Sequence, residues 1–90
     1  VTVCTHEPVV DAGHGVRFEV RRMDGVIAHV AYWHPRPDGA GECYGCIGIR
    51  PAWEDGWDLL SEAPLTVSPS LECRACGHHG HITEGKWVPA

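Results

Sequence analysis

The chain has 90 residues, 12 acidic against 7 basic side chains, and a formal charge of −5 at pH 7. That length suits one small domain, which buries only about 60–65 % of its unfolded surface and has a marginal core without a staple. The charge opposes non-specific binding to a phosphate backbone, and the sequence holds neither an apolar run long enough for a transmembrane helix nor an opening charged-then-apolar leader.

Residues 1–15 open on Val1, which a GUG start codon of a GC-rich bacterium or its phage would explain, as would trimming. Val1 to Val3 suit the start of an edge strand, and Pro8, Gly13 and Gly15 exclude a helix. Cys4 and His6 form a Cys-x-His pair. It reads either as half of a second metal site, completed by His14 or a later histidine, or as a free thiol beside an exposed imidazole. No second ligand pair has matching spacing, which favours the free thiol.

In residues 16–33, Val16, Phe18 and Val20 alternate with Arg17, Glu19 and Arg21, the period of a strand. Asp24-Gly25 between Met23 and Val26 is a two-residue hairpin turn. It pairs Val20 with His29, Phe18 with Ala31 and Val16 with Trp33. One face then carries Val16, Phe18, Val20, Ile27, Ala31 and Trp33 toward a core, with His29 as a hydrogen-bonded structural histidine. Val26, Ala28, Val30 and Tyr32 make the second strand apolar on its other side as well. It therefore lies inside the sheet or presents Tyr32 to a partner. Residues 34–41 hold two prolines and two glycines and read as a loop.

Two Cys-x-x-Cys pairs follow, Cys43–Cys46 and Cys73–Cys76. Four thiolates in two close pairs make a closed tetrahedral zinc site. The spacing favours metal over disulfides in a reducing compartment. Iron in a rubredoxin-like site uses the same ligands, but usually with glycine after both pairs, and here Ile47 follows the first. His78, His79 and His81 lie just past Cys76. They read as hydrogen-bonding neighbours of the sulfurs, or as a replacement ligand in a Cys3His site. Structural zinc contributes roughly 10–16 kcal/mol of apparent folding free energy, against about 5–15 kcal/mol of net stability for a whole domain. Folding and metal binding are therefore expected to be coupled.

Between the pairs, residues 47–50 read as a short strand and 51–57 as a loop. Trp53 and Trp57 on that loop serve either as a lid on the core or as a partner hot spot. Leu65–Ser68 is a short strand that Pro69 ends or marks as an edge. In the tail, residues 81–83 and 86–88 pair across Glu84-Gly85 as a second hairpin, with Trp87 as another candidate contact. No catalytic set emerges. The deaminase signature requires His-x-Glu and Pro-Cys-x-x-Cys, and neither occurs. No serine or cysteine has an identifiable base and orienting partner.

From Trp57 to Trp87 the chain resembles an uncharacterised family of small zinc-ribbon proteins of phages and bacterial mobile elements. The matching residues are Cys43, Cys46, Trp57, the run Pro64-Leu65-Thr66-Val67-Ser68-Pro69-Ser70-Leu71, then Cys73, Cys76, His79, Gly80, Ile82, Gly85, Lys86 and Trp87. The resemblance implies a zinc-stapled β domain and no established activity.

The expected fold is small and mostly β, one domain over 1–90: an N-terminal β-hairpin region and loop (1–41) joined to a zinc ribbon (42–90). The expected role is a non-catalytic zinc-binding structural or interaction protein. Its expected form is a minor capsid or capsid-decorating phage component, with a capsid subunit as partner and no membrane contact. The expected location is the virion or the cytoplasm of the bacterial host. The alternative is a nucleic-acid-binding or transcription-modulating ribbon, drawing on a small cationic patch from Arg17 and Arg21.

Overall fold

A computed structural model describes residues 2–90. Ten strands and no helix are present among them: β1 Cys4–His6, β2 Val10–Gly13, β3 Val16–Met23, β4 Val26–Pro35, β5 Glu42–Gly48, β6 Asp58–Glu62, β7 Leu65–Ser68, β8 Leu71–Glu72, β9 His79–Thr83 and β10 Lys86–Pro89. The mostly β expectation holds. Val1 lies outside the described residues, and the edge strand expected at 1–3 begins at Cys4.

Strands β3, β4 and β5 form an antiparallel sheet, and β1 and β2 follow one another along the free side of β3. Strands β8, β9 and β10 make a three-stranded sheet, and β6 and β7 a hairpin. One cluster of buried side chains joins all three. Val16, Phe18, Val20, Val30, Tyr32 and Ile47 enter it from the large sheet. Leu65, Val67, Leu71, Ile82 and Trp87 enter from the two small ones.

Both two-residue turns form where the sequence places them. Asp24 and Gly25 have φ of 51° and 84°, and Glu84 and Gly85 have 52° and 75°. Two successive positive-φ residues match the right-handed twist of the flanking strands. The second hairpin pairs Lys86 with Thr83, Trp87 with Ile82 and Val88 with His81.

The first hairpin departs from the expected register. Met23 pairs Val26 and Arg22 pairs Ile27, but Arg21 pairs His29. Ala28 is thus an extra residue, a β-bulge. Beyond it every side chain of β4 changes face. Val30 and Tyr32 turn inward, Tyr32 only 5 % exposed, while His29 and Trp33 move to the outer face. The bulge lets Ile27 and Val30, an odd number of residues apart, enter the same core.

Strand β4 also runs on to Pro35, two residues into the segment expected as loop. Strand β5 pairs with it without a break from Glu42 to Gly48. Tyr32 faces Gly45 across that pair, and a Cβ on Gly45 would stand 2.7 Å from Tyr32 Cε1. Glycine at 45 therefore lets the phenol ring lie flat on the sheet.

Candidate metal centre

His34 and Cys43 are directly paired across β4 and β5, on the face that carries Tyr32 into the core. The connection between β8 and β9 supplies the opposite wall. There Cys73-Arg74-Ala75-Cys76 folds into a knuckle. Cys73 N–H donates to the His78 carbonyl at 2.8 Å, and Gly77 N–H donates to the Cys73 carbonyl at 2.7 Å. Gly77 takes φ of 80°, a left-handed conformation that glycine adopts at no steric cost.

The result is one group of four ligands. A ring nitrogen of His34 and the sulfurs of Cys43, Cys73 and Cys76 all lie within 4.8 Å of one another. Cys43 Sγ and Cys76 Sγ are 3.9 Å apart. Zinc–sulfur bonds of about 2.3 Å at tetrahedral angles imply a sulfur–sulfur edge of about 3.8 Å. A disulfide would require about 2.05 Å. The thiols are therefore spaced for an ion between them.

His34 is 1 % exposed, the one buried polar side chain among the described residues. Its Nδ1 lies 3.2 Å from the Pro35 carbonyl. A proton there donates to that oxygen and leaves the Nε2 lone pair for a metal, the usual way a backbone carbonyl fixes a ligating imidazole. Four rings, His34 among them, lie nearly parallel. His34 and His78 are 4.2 Å apart at 13°, His78 and Trp87 4.9 Å at 25°, and Tyr32 stacks on both His34 and Trp87. Trp87 reaches this stack by crossing Gly80, where a Cβ would stand 2.5 Å from its ring.

The electrostatics are those of crowded thiols. Burial raises the Cys73 value, but hydrogen bonds from Cys76, from the backbone N–H groups of Cys76 and Ala75, and from His34 outweigh it, bringing Cys73 to about 7. Desolvation and the neighbouring sulfurs of Cys76 and Cys73 push Cys43 up. Desolvation, then the three sulfurs, also raises Tyr32 and keeps its phenol protonated. Desolvation, then His34, lowers His78 and favours a neutral ring.

Three of the four expected ligands, Cys43, Cys73 and Cys76, come together, and Cys46 does not. In a continuous strand, residues three apart point to opposite faces, so Cys46 is exposed on the outer side of β5. His34 takes the fourth position. His78 lies beside the group as a ring stacked on His34. His79 bonds Ser70 Oγ at 2.7 Å, and His81 is exposed on the solvent side of β9. Tyr32 and Trp87, expected as partner contacts, are core residues at 5 % and 3 % exposure and offer no surface. Trp53 is half exposed and Trp57 half-buried. Cys4 is exposed and His6 pairs with Glu19 at 3.1 Å, so these two gather no further ligands among the described residues.

The signal for His34 was its parity with Tyr32 across β4, hidden by the bulge and by the prolines at 35 and 37. The first pair is followed by Ile47, within a strand, and the second by the positive-φ Gly77, which is the difference the sequence offered against Cys46. No protein-family model, curated protein or solved structure matches the chain. One imidazole and three thiols at this spacing form a Cys/His cluster that can hold a metal ion and is compatible with zinc.

Proposed function

We propose that this protein is a non-catalytic β domain held together by one structural zinc ion, and that it serves as a docking module for a protein partner. The observation that carries the zinc reading is the 3.9 Å separation of Cys43 and Cys76 sulfurs within the four-ligand group. Four protein ligands fill a tetrahedral ion, whereas a catalytic zinc keeps a position for water or substrate. That closure supports a structural role.

Support for a protein partner lies on the outer face of the large sheet. Tyr44 is 54 % exposed, Trp33 packs against it with centroids 5.4 Å apart, and farther along β5 Trp53 lies over Gly48 at 51 % exposure. Aromatic groups of this kind carry much of the energy of protein interfaces. The nucleic-acid alternative loses support. Arg17, Arg21, Arg22, Arg36 and Arg50, five of the seven cations, are each paired with a carboxylate at 2.7–3.3 Å. The resemblance over residues 57–87 favours a phage or bacterial mobile element as the setting, and the partner this reading names is a capsid subunit. Mass spectrometry of purified particles would find the chain at a fixed ratio to that subunit.

Native mass spectrometry tests the zinc reading. One zinc per chain is expected, removed by a chelator together with the cooperative melting transition. A chain that carries no metal after folding in zinc-containing medium would end the reading.

A further inference from the structure

A shallow cavity of about 520 Å³ opens on the outer face, across β5 from the four-ligand group. His29, Cys46, Trp53, Glu54, Asp55 and Trp57 line it. Its geometry is held rather than incidental. The 50–57 loop is tied to the sheet edge by Trp57 N–H to the Gly48 carbonyl at 2.8 Å and Arg50 N–H to the Trp57 carbonyl at 2.9 Å. Within the loop, Trp53 N–H donates to the Ile49 carbonyl and Gly56 N–H to the Trp53 carbonyl, each at 3.0 Å.

Trp53 lies directly over Gly48, where a Cβ would stand 2.6 Å from its Cγ. His29 tilts against its ring with centroids 5.3 Å apart. The chain thus uses a glycine and a braced loop to hold a tryptophan that remains 51 % exposed. A core lid would have turned inward. The one cation of the loop, Arg50, is engaged with the Glu54 backbone carbonyl and the Asp58 carboxylate. The Glu54 and Asp55 carboxylates have no ion-pair partner among the described residues.

We propose that this cavity binds an arginine side chain of the partner protein, its guanidinium stacked on the Trp53 indole and paired with Glu54 or Asp55. A planar guanidinium stacks on indole while its edge N–H groups donate to carboxylates, which a hydrated ammonium does less well. The overall charge of −5 favours the approach of such a partner. The site names a contact for the docking role. Its residues lie outside the four-ligand group, so it takes no ligand from the zinc site.

The test is a nuclear magnetic resonance titration of the zinc-loaded chain with N-acetylarginine methylamide, using the neutral citrulline compound as control. The Trp53 indole N–H and the Gly48 and Gly56 amides should shift and saturate, with a dissociation constant on the order of millimolar for so small a probe. Citrulline should bind about five- to tenfold more weakly. Trp53→Ala and the double change Glu54→Gln, Asp55→Asn should each weaken the arginine response several-fold, and the second leaves every aromatic wall in place. Equal response to both compounds, no response, or shifts centred elsewhere would overturn the proposal. Tighter binding of tetramethylammonium than of the arginine compound would overturn the choice of arginine. Metal content, read separately by mass, keeps failure of this site distinct from failure of the zinc reading.

Discussion

His34 lies one residue from the end of β4, with its ring buried and its Nδ1 turned to the Pro35 carbonyl, opposite Cys43. Removing a ligand should cost more than the ~10–100-fold lost with an outer-shell partner. His34→Ala is therefore expected to lose zinc in competition with a chromogenic chelator, while Cys46→Ser keeps it. The opposite pattern would return the fourth position to Cys46. A pH dependence belongs to the same residues. Cys73 is lowered from 9.0 to about 7, so its contribution to the stability of the metal-free fold is complete above about pH 9 and lost as pH falls through about 7. Protons then compete with the metal, and zinc occupancy at limiting metal should fall as pH drops below about 7. The thiols were legible as single letters with a spacing. His34 was not, because its role comes from a partner strand and a bulge rather than from its neighbours in sequence.

Strand β5 shows how one element decides which letters matter. Because it runs unbroken beside β4, Cys43 faces the core side and Cys46 faces outward. The Cys-x-x-Cys spacing is shared by a knuckle and a strand, and only the backbone path separates them. Gly77 lets the second pair bend, and Ile47-Gly48-Ile49 carries the first pair straight on. Strand β5 also depends on Gly45 lying under Tyr32. Gly45→Ala should destabilise the zinc-loaded domain by about 1–3 kcal/mol, the usual cost of overpacking. Thermal unfolding measures this, and an unchanged melting temperature would mean that Tyr32 moves aside freely. Hairpins at Asp24-Gly25 and Glu84-Gly85 could be read from turn chemistry alone. The β4 bulge could not, since Ala28 is chemically unremarkable and its extra place is set by the need to bury both Ile27 and Val30.

At the scale of the whole molecule, the chain is elongated, 42 × 22 × 22 Å, and the four-ligand group ties two of its sheets together. That group joins the end of the large sheet, through His34 and Cys43, to the β8–β9 connection, through Cys73 and Cys76. The three-stranded sheet contributes Leu71, Ile82 and Trp87 to the shared core. Chelation is expected to strip hydrogen-exchange protection from residues 71–90 first, while the long β3–β4 pairing keeps more of its own. Uniform protection with and without metal would mean that apolar packing alone holds the two sheets together. Mostly β architecture was legible from strand periods and turns, whereas the way the two halves meet depends on contacts far apart in the chain.

X-ray absorption at the zinc edge of the loaded full chain reads the coordination directly. Three sulfurs at about 2.3 Å and one nitrogen at about 2.0–2.1 Å are the expected shell. A shell of four sulfurs would contradict the assignment of His34, and a shell containing water oxygen would contradict the closed, structural character of the site.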